Sequence, residues 1–269
     1  MFKVLSLGAE VQSTTVLGMA IKGEIERPDY VVFADTGWEP PSVYDHLETL
    51  EIKMRQAGIE YDVVELGNIR NDNVRASGIN GDGSNPPALP FYSLNGGSKG
   101  MVQRQCTNNY KIMPIDKAVK KRFNIGVKSK NNFLPKIEMW FGISTDESRR
   151  CKLSNKWWQT NYYPLIDLGM NRDDCKRWLD KNGFGDVPRS ACIGCPFRSN
   201  RSWINMRENN PDDWLDAIDF DKAIRTKKGF NGERFLHKDC VPLSEVILSL
   251  EELGQMSMWD QECSGMCGL

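Results

Sequence analysis

Histidine is nearly missing from this chain. Only His46 and His237 occur in 269 residues, which argues against catalytic machinery built on several histidines. An excess of charge of either sign is missing too. Thirty-five Lys+Arg against 36 Asp+Glu leave a net charge of −1 and a pI near 6.2. No global basic field recruits nucleic acid, so any such contact needs a local patch. No apolar run approaches the ~18 residues of a bilayer-spanning helix. The opening MFKVLSLGAEV has too short an apolar stretch for a signal peptide. The expectation is a cytoplasmic protein with no membrane partner. Internal repeats, heptads and low-complexity tails are absent from the sequence. What remains is 40% hydrophobic and 26% charged, an ordinary globular composition. Its length suits one large domain, with or without a smaller appendage.

Strand and helix patterns alternate through the first third. Residues 2–6, 29–34 and 61–65 read as strands, and residues 13–22 and 41–56 as helices, the second opened by proline and serine. This βαβαβ order predicts an α/β fold: a three-layer, Rossmann-like sandwich with a mostly parallel sheet. Residues 71–100 are dense in Asn, Gly and Pro and read as a long loop shaping a pocket. Residues 107–121 read as a helix with a boundary at Pro114, 128–133 as a polar insertion, and 137–143 as a further strand. Helices are expected at 172–182 and 214–225. The sheet pattern fades near residue 200. The expected division is a nucleotide-binding domain with a cysteine cluster over 1–205 and a mainly helical region with a cysteine-containing tail over 206–269.

Ligands of open parallel sheets bind beyond the carboxyl ends of the strands. The stretch SLGAEVQSTT, residues 6–15, lies there. Ser6, Gly8, Ser13 and Thr14 fit a phosphate loop: glycine admits a close backbone approach, and the helix start attracts anions. A serine-capped helix after a tight turn fits the same residues. It is not a Walker A loop, because no Gly-Lys-Ser/Thr is present. Near residue 147, Asp146, Glu147, Arg149 and Arg150 follow a strand end. Glu147 suits Mg²⁺ on a triphosphate and Arg150 suits phosphate oxygens, against a bland reading as a solvated turn.

Eight cysteines in a reducing compartment argue for metal binding or redox chemistry rather than disulfides. Cys192-Ile193-Gly194-Cys195 has the spacing of a metal-binding pair, and equally of a redox pair. Cys263 and Cys267, in the tail QECSGMCGL, read as a redox pair or a second metal site. Cys151, Cys175 and Cys240 read as packing residues. Arg104, Lys111 and Arg198 flank the cysteines and suit an anionic substrate or tuning of a metal centre. Trp157, Trp158 and Trp203 suit base stacking or, more simply, a core.

Taken in order, these stretches resemble the phosphoadenosine phosphosulfate (PAPS) reductase-like branch of the adenine-nucleotide alpha-hydrolase superfamily, the PP-loop ATP pyrophosphatases. SLGAEVQST resembles the pyrophosphate loop, with Leu7 for a usual glycine and Gln12 where an aspartate is usual. Asp35-Thr36-Gly37, followed by Pro41 and Tyr44, resembles the motif ending the second strand. RQCTNNYKIMP, FGISTDESRR and CIGCPFRS resemble three further signatures. The resemblance covers about residues 1–200. It implies ATP or another adenine nucleotide with Mg²⁺, bound through Ser6, Gly8, Ser13, Thr14, Asp35, Thr36 and Gly37. It also implies a [4Fe–4S] cluster, with zinc as the alternative, on Cys106, Cys192 and Cys195. The fourth ligand is then open or supplied by the tail, at Cys263 or Cys267. The activity expected is ATP-dependent activation of an acceptor, with pyrophosphate release and sulfur transfer, using Glu147 and Arg150. One alternative is reductive cleavage of an adenylyl sulfate by Cys263. Another is a non-catalytic nucleotide-binding protein with structural zinc. The acceptor, a nucleic acid or a small molecule, and any electron- or sulfur-donor protein stay open.

Overall fold

The computed structural model describes residues 1–75, 89–126, 136–226 and 232–249. The expected insertion at 128–133 and both tail cysteines, Cys263 and Cys267, lie outside the described residues. Five strands form the central sheet: β1 (Phe2–Leu7), β2 (Tyr30–Asp35), β3 (Tyr61–Glu65), β6 (Ile137–Phe141) and β7 (Gln159–Tyr162). Their spatial order is β3-β2-β1-β6-β7, and every pairing is parallel. Two short strands, β4 (Tyr92–Asn95) and β5 (Ser98–Met101), come between β3 and β6 in the chain.

Side-chain alternation sorts this sheet into two buried faces. Leu5, Leu7, Val31, Phe33 and Trp140 face one core, where α1 (Val11–Lys22), α2 (Pro41–Gln56) and α6 (Arg172–Lys181) pack. Val4, Tyr30, Val32, Ala34, Met139 and Phe141 face the other, under α4 (Met113–Arg122). Two short helices, α3 (Ile69–Val74) and α5 (Pro164–Asp167), complete this part. The chain is therefore the α/β three-layer sandwich that the strand–helix alternation implied.

Four boundaries differ from the sequence reading, each for a local reason. Helix α1 begins at Val11, two residues before Ser13, because Glu10 is extended (φ −119°, ψ 170°) and caps it. Residues 71–100 are not one loop. Helix α3 enters that stretch, and β4 and β5 form an antiparallel hairpin over the two-residue turn Gly96-Gly97. A π-helical turn, Asn108–Ile112, precedes α4. Pro114 accounts for it: proline has no N–H for the carbonyl four residues back, so the turn widens before α4 proceeds. The last helix among the described residues starts at Pro211 rather than Trp214, with proline in its first turn.

The C-terminal part carries α7 (Asn200–Asn209) and α8 (Pro211–Ile224). It also carries β8 (Glu233–Phe235), which pairs antiparallel with β4 to complete a second sheet, β5-β4-β8. A third core joins these pieces. Trp38, Ile69, Phe91, Tyr110, Trp203 and Phe220 pack together in it. Trp38 Nε1 donates to Asp216 at 2.6 Å, and Arg70 pairs with the same carboxylate at 2.7 Å. Among the described residues, no helix is long and apolar enough to cross a membrane.

Two residues of α2 separate core from surface within one helix. Leu50 is fully buried and Ile52 is 53% exposed. Leu50→Ala is expected to cost about 2–5 kcal/mol in urea denaturation, and Ile52→Ala within about 0.5 kcal/mol. Equal losses from both would contradict this placement of the helix.

Candidate functional site

The end of β1 and the start of α1 frame the first cavity. It is lined by Ser6, Gly8, Glu10, Ser13, Lys111 and Glu147 among others. Ser13 organises the turn. Its Oγ accepts from Gly8 N–H at 3.1 Å and Glu10 N–H at 3.3 Å, and can donate to Glu10 O at 3.2 Å. Glu10 and Ser13 form a capping box, with the Glu10 side chain turned onto the Ser13 N–H. Ala9 takes the left-handed backbone of this turn, at φ 52°.

Thr14 and Thr15 point elsewhere. Thr14 Oγ1 lies 3.2 Å from His46 Nε2, and Thr15 Oγ1 donates to Val11 O at 2.8 Å. His46 is buried behind α1, and burial pushes its imidazole down to about 4. It is a neutral packing residue.

Gln12 has an assigned task. Its amide nitrogen reaches Ser144 Oγ at 3.4 Å and Glu147 Oε2 at 3.3 Å, and its oxygen accepts from Arg172 at 2.7 Å. Arg150 donates to the same Glu147 oxygen at 2.8 Å. Glu147 therefore stands in the cavity wall on a buried, charge-assisted support. The solvated-turn reading of this stretch does not hold for Glu147 and Arg150.

A second cavity lies beyond Lys111. Cys106, Cys192 and Cys195 line it together, with Arg104, Lys111 and Phe197 also in the wall. Only the fold unites Cys106, just before the π-helical turn, with the C-x-x-C. That loop is held from outside. Arg198 donates to the carbonyls of Ile193 and Ala191 at 3.0 Å and of Cys192 at 3.1 Å. Gly194 lies flat on Trp38: a Cβ there would stand 2.2 Å from the ring. Arg198 is thus the brace of the cysteine loop. Among the described residues, no group of three or more His, Cys, Asp or Glu side chains has the spacing of a single-ion site.

Thr36 lines the second cavity, and Glu39 lies next to Thr36 and to Lys111. Thr36 Oγ1 donates to Glu39 Oε1 at 3.3 Å and lies 3.3 Å from Cys192 Sγ. Ser190 Oγ reaches Glu39 Oε2 at 3.3 Å, and Lys111 Nζ lies 3.5 Å from Oε1. Burial pushes the Cys192 thiol well up, and Glu39 adds to that rise. Lys111 and the Thr36 hydroxyl oppose it.

The other residues of the Asp-Thr-Gly motif build the turn. Asp35 Oδ1 accepts from Gly37 N–H at 2.7 Å and Tyr44 OH at 2.9 Å. Gly37 has φ 71°, and a Cβ there would meet Asn68 at 2.9 Å. Thr36 is the member that reaches a cavity. Trp158 and Trp203 are buried core residues, and Cys175 is buried under α1.

Sequence reading missed Glu10, Glu39, Ser190 and Gly142. Glu39 had a faint signal, as an acidic residue just after a strand-end motif. Gly142 follows β6, and a Cβ there would stand 2.5 Å from Ser13 N. Nothing in the local pattern around Glu10 marks it. No family model and no curated protein matches this chain.

Two expectations follow. Gly142→Ala is expected to cost about 2 kcal/mol or more in denaturant stability, because backbone must move to admit the methyl. Gly8→Ala, whose methyl meets only Ser13 Oγ at 3.5 Å, is expected to change stability by less than about 1 kcal/mol. The second concerns pH. Burial pushes the Glu10 carboxyl up from 4.5 to about 7; Lys111, Arg172 and Arg189 pull it back, and Glu39 adds to the rise. The folded state then holds this proton more tightly than the unfolded chain. Its stabilising contribution is complete below pH 4.5 and is lost as pH rises to about 7. Glu10→Gln is expected to gain about 3 kcal/mol on wild type between about pH 4.5 and 8. Parallel stability–pH curves for the two proteins would refute this.

Proposed function

We propose that this chain is an adenine-nucleotide enzyme of the PAPS reductase-like kind, which uses ATP to activate an acceptor and then transfers sulfur to it. The observation that carries the reading is a shared wall. Lys111 lines both the cavity at the Ser-Gly loop and the cavity of the three cysteines. In this reading a pocket for phosphate and a thiol-lined pocket meet at one cation. That is the arrangement a reaction between a nucleotide-activated group and sulfur requires.

In this reading the triphosphate lies in the first cavity. Ser6, Gly8 and Ser13 approach it, and Glu147 holds magnesium on it, oriented by Gln12 and Arg150. An oxygen of the acceptor attacks the α-phosphorus, and pyrophosphate leaves with the electron pair of the broken P–O bond. A hydrosulfide-class donor then displaces AMP from the activated acceptor. Lys111 stands where negative charge gathers in both steps. The acceptor is a nucleic acid or a small molecule, and the sulfur or the electrons come from a donor protein.

The second cavity has a donor set that suits an iron–sulfur cluster. Three cysteines line it, with cationic Arg104 and Lys111 in the wall to offset a cluster's negative charge. Cys106, Cys192 and Cys195 would hold the cluster. It would supply an electron-carrying or sulfur-binding centre. Lys111, Thr36 and Arg198 set the charge, the hydrogen bond and the loop geometry around those thiols.

The test has two arms. Protein purified without oxygen is expected to carry about four irons and four acid-labile sulfides per chain. Cys192→Ser and Cys195→Ser should each lose most of both. Pyrophosphate release from ATP, assayed with candidate acceptors, is expected to fall at least about 100-fold in Glu147→Gln and Ser13→Ala. Zinc without sulfide would remove the sulfur chemistry. Sulfite formed from an adenylyl sulfate, and lost in Cys263→Ser, would replace this activity with the reductive one.

A further inference from the structure

The phosphate cavity contains an anion of the protein's own. Glu10 is 7% exposed and lines the same cavity as Ser6, Gly8, Ser13, Lys111 and Glu147. Its side chain is turned onto the Ser13 N–H at the start of α1. Three neighbouring N–H groups are engaged within the fold. Gly8 and Glu10 give their N–H groups to Ser13 Oγ, and Thr14 gives its own to Glu10 O at 2.8 Å. Lys111, Arg172 and Arg189 act on the carboxyl as cations, and Glu39 acts on it as a second anion. The group thus has the surroundings of a bound phosphate: a helix N-terminus, hydroxyls and several cations.

Gly8 adds an independent sign that the cavity admits something more. Its backbone is not left-handed, and a methyl would meet only Ser13 Oγ, at 3.5 Å. The fold has no need of a glycine there, whereas a ligand in the cavity does. A fixed cap would also sit better with a neutral or smaller residue. Serine or asparagine caps a helix without burying a charge.

We infer that Glu10 is a built-in stand-in for phosphate and sets the specificity of this cavity: its carboxylate holds the anion position at the start of α1, and an incoming polyphosphate binds by displacing it. The inference rests on the phosphate cavity proposed above. It makes binding depend on the charge of Glu10. An ionised Glu10 competes with the ligand and repels it. A protonated Glu10 yields, and so does an uncharged replacement. The proton is gained near pH 7, so the competition is strong in mildly alkaline solution and weak in acid.

The experiment is calorimetric titration of the full chain with inorganic pyrophosphate at about pH 5.5 and about pH 8.5. Wild type is compared with Glu10→Gln and Glu10→Ser; the serine variant keeps a good helix cap without charge. Ionisation of pyrophosphate itself cancels in the ratio of variant to wild-type affinity. Both variants are expected to bind about tenfold or more tightly than wild type at the higher pH, and within about twofold at the lower. If wild type binds and neither variant binds more tightly at the higher pH, the inference falls and the phosphate cavity stands. An equal gain at both pH values also overturns it, because charge is then not the cause. If none of the three proteins binds pyrophosphate at either pH, the phosphate reading falls and takes the inference with it.

Discussion

The approach of β6 to the first turn of α1 is the constraint on which the site depends. Gly142 follows β6 directly, and any side chain there would run into the Ser13 backbone. Because that gap is closed, residues 144–150 reach across the end of β1 to the helix start. Gln12 then touches Ser144 and Glu147, and Arg150 closes on the same carboxylate. A larger residue at 142 would push the two strand ends apart. The cavity wall would lose Glu147 without any change in that residue itself. Close packing passes such shifts on because interiors leave no slack to absorb them.

The meeting of the two cavities depends on a defect in a helix. Pro114 removes one hydrogen bond and the chain answers with a π-helical turn over Asn108–Ile112. That turn carries Lys111 to Glu39 and follows directly on Cys106, which faces the C-x-x-C. A regular helix through this stretch would rotate Lys111 away from one cavity or the other. Glu39 is the matching element on the other side. Its carboxylate is wholly buried, and it is tolerable only because Lys111, Thr36 and Ser190 surround it. Electrostatics and local geometry therefore fix one cation between the cavity at the Ser-Gly loop and the thiol-lined one.

The cysteine loop shows how a short motif borrows its shape from distant parts. Its glycine lies on Trp38, from the turn after β2, and its carbonyls are held by Arg198. Trp38 is in turn tied to Asp216 of α8. The helices that follow the motif are thus part of its support, and β8 extends the same region by pairing with the hairpin at 92–101.

Periodicity alone determined the sandwich. Alternating apolar residues in β1, β2 and β6 can be buried on both faces only with helices above and below. The placement of Ser6 near the end of β1, and of Gly8 and Ser13 just beyond it, was legible for the same reason. The C-x-x-C could be read as a pair, because two thiols at that spacing lie close in any fold. The hairpin at 92–101 was hidden, since a strand of four residues among glycines has too short a pattern to register. Only the tertiary structure decided which residues meet. Cys106 reached the C-x-x-C, Glu39 reached Lys111, and Glu10 entered the cavity beside the Ser-Gly loop. Each of these meetings arises from chain segments distant in sequence, or from a side chain whose direction depends on its cap. Sequence spacing carries no information about either, because burial and charge act through space and not along the chain.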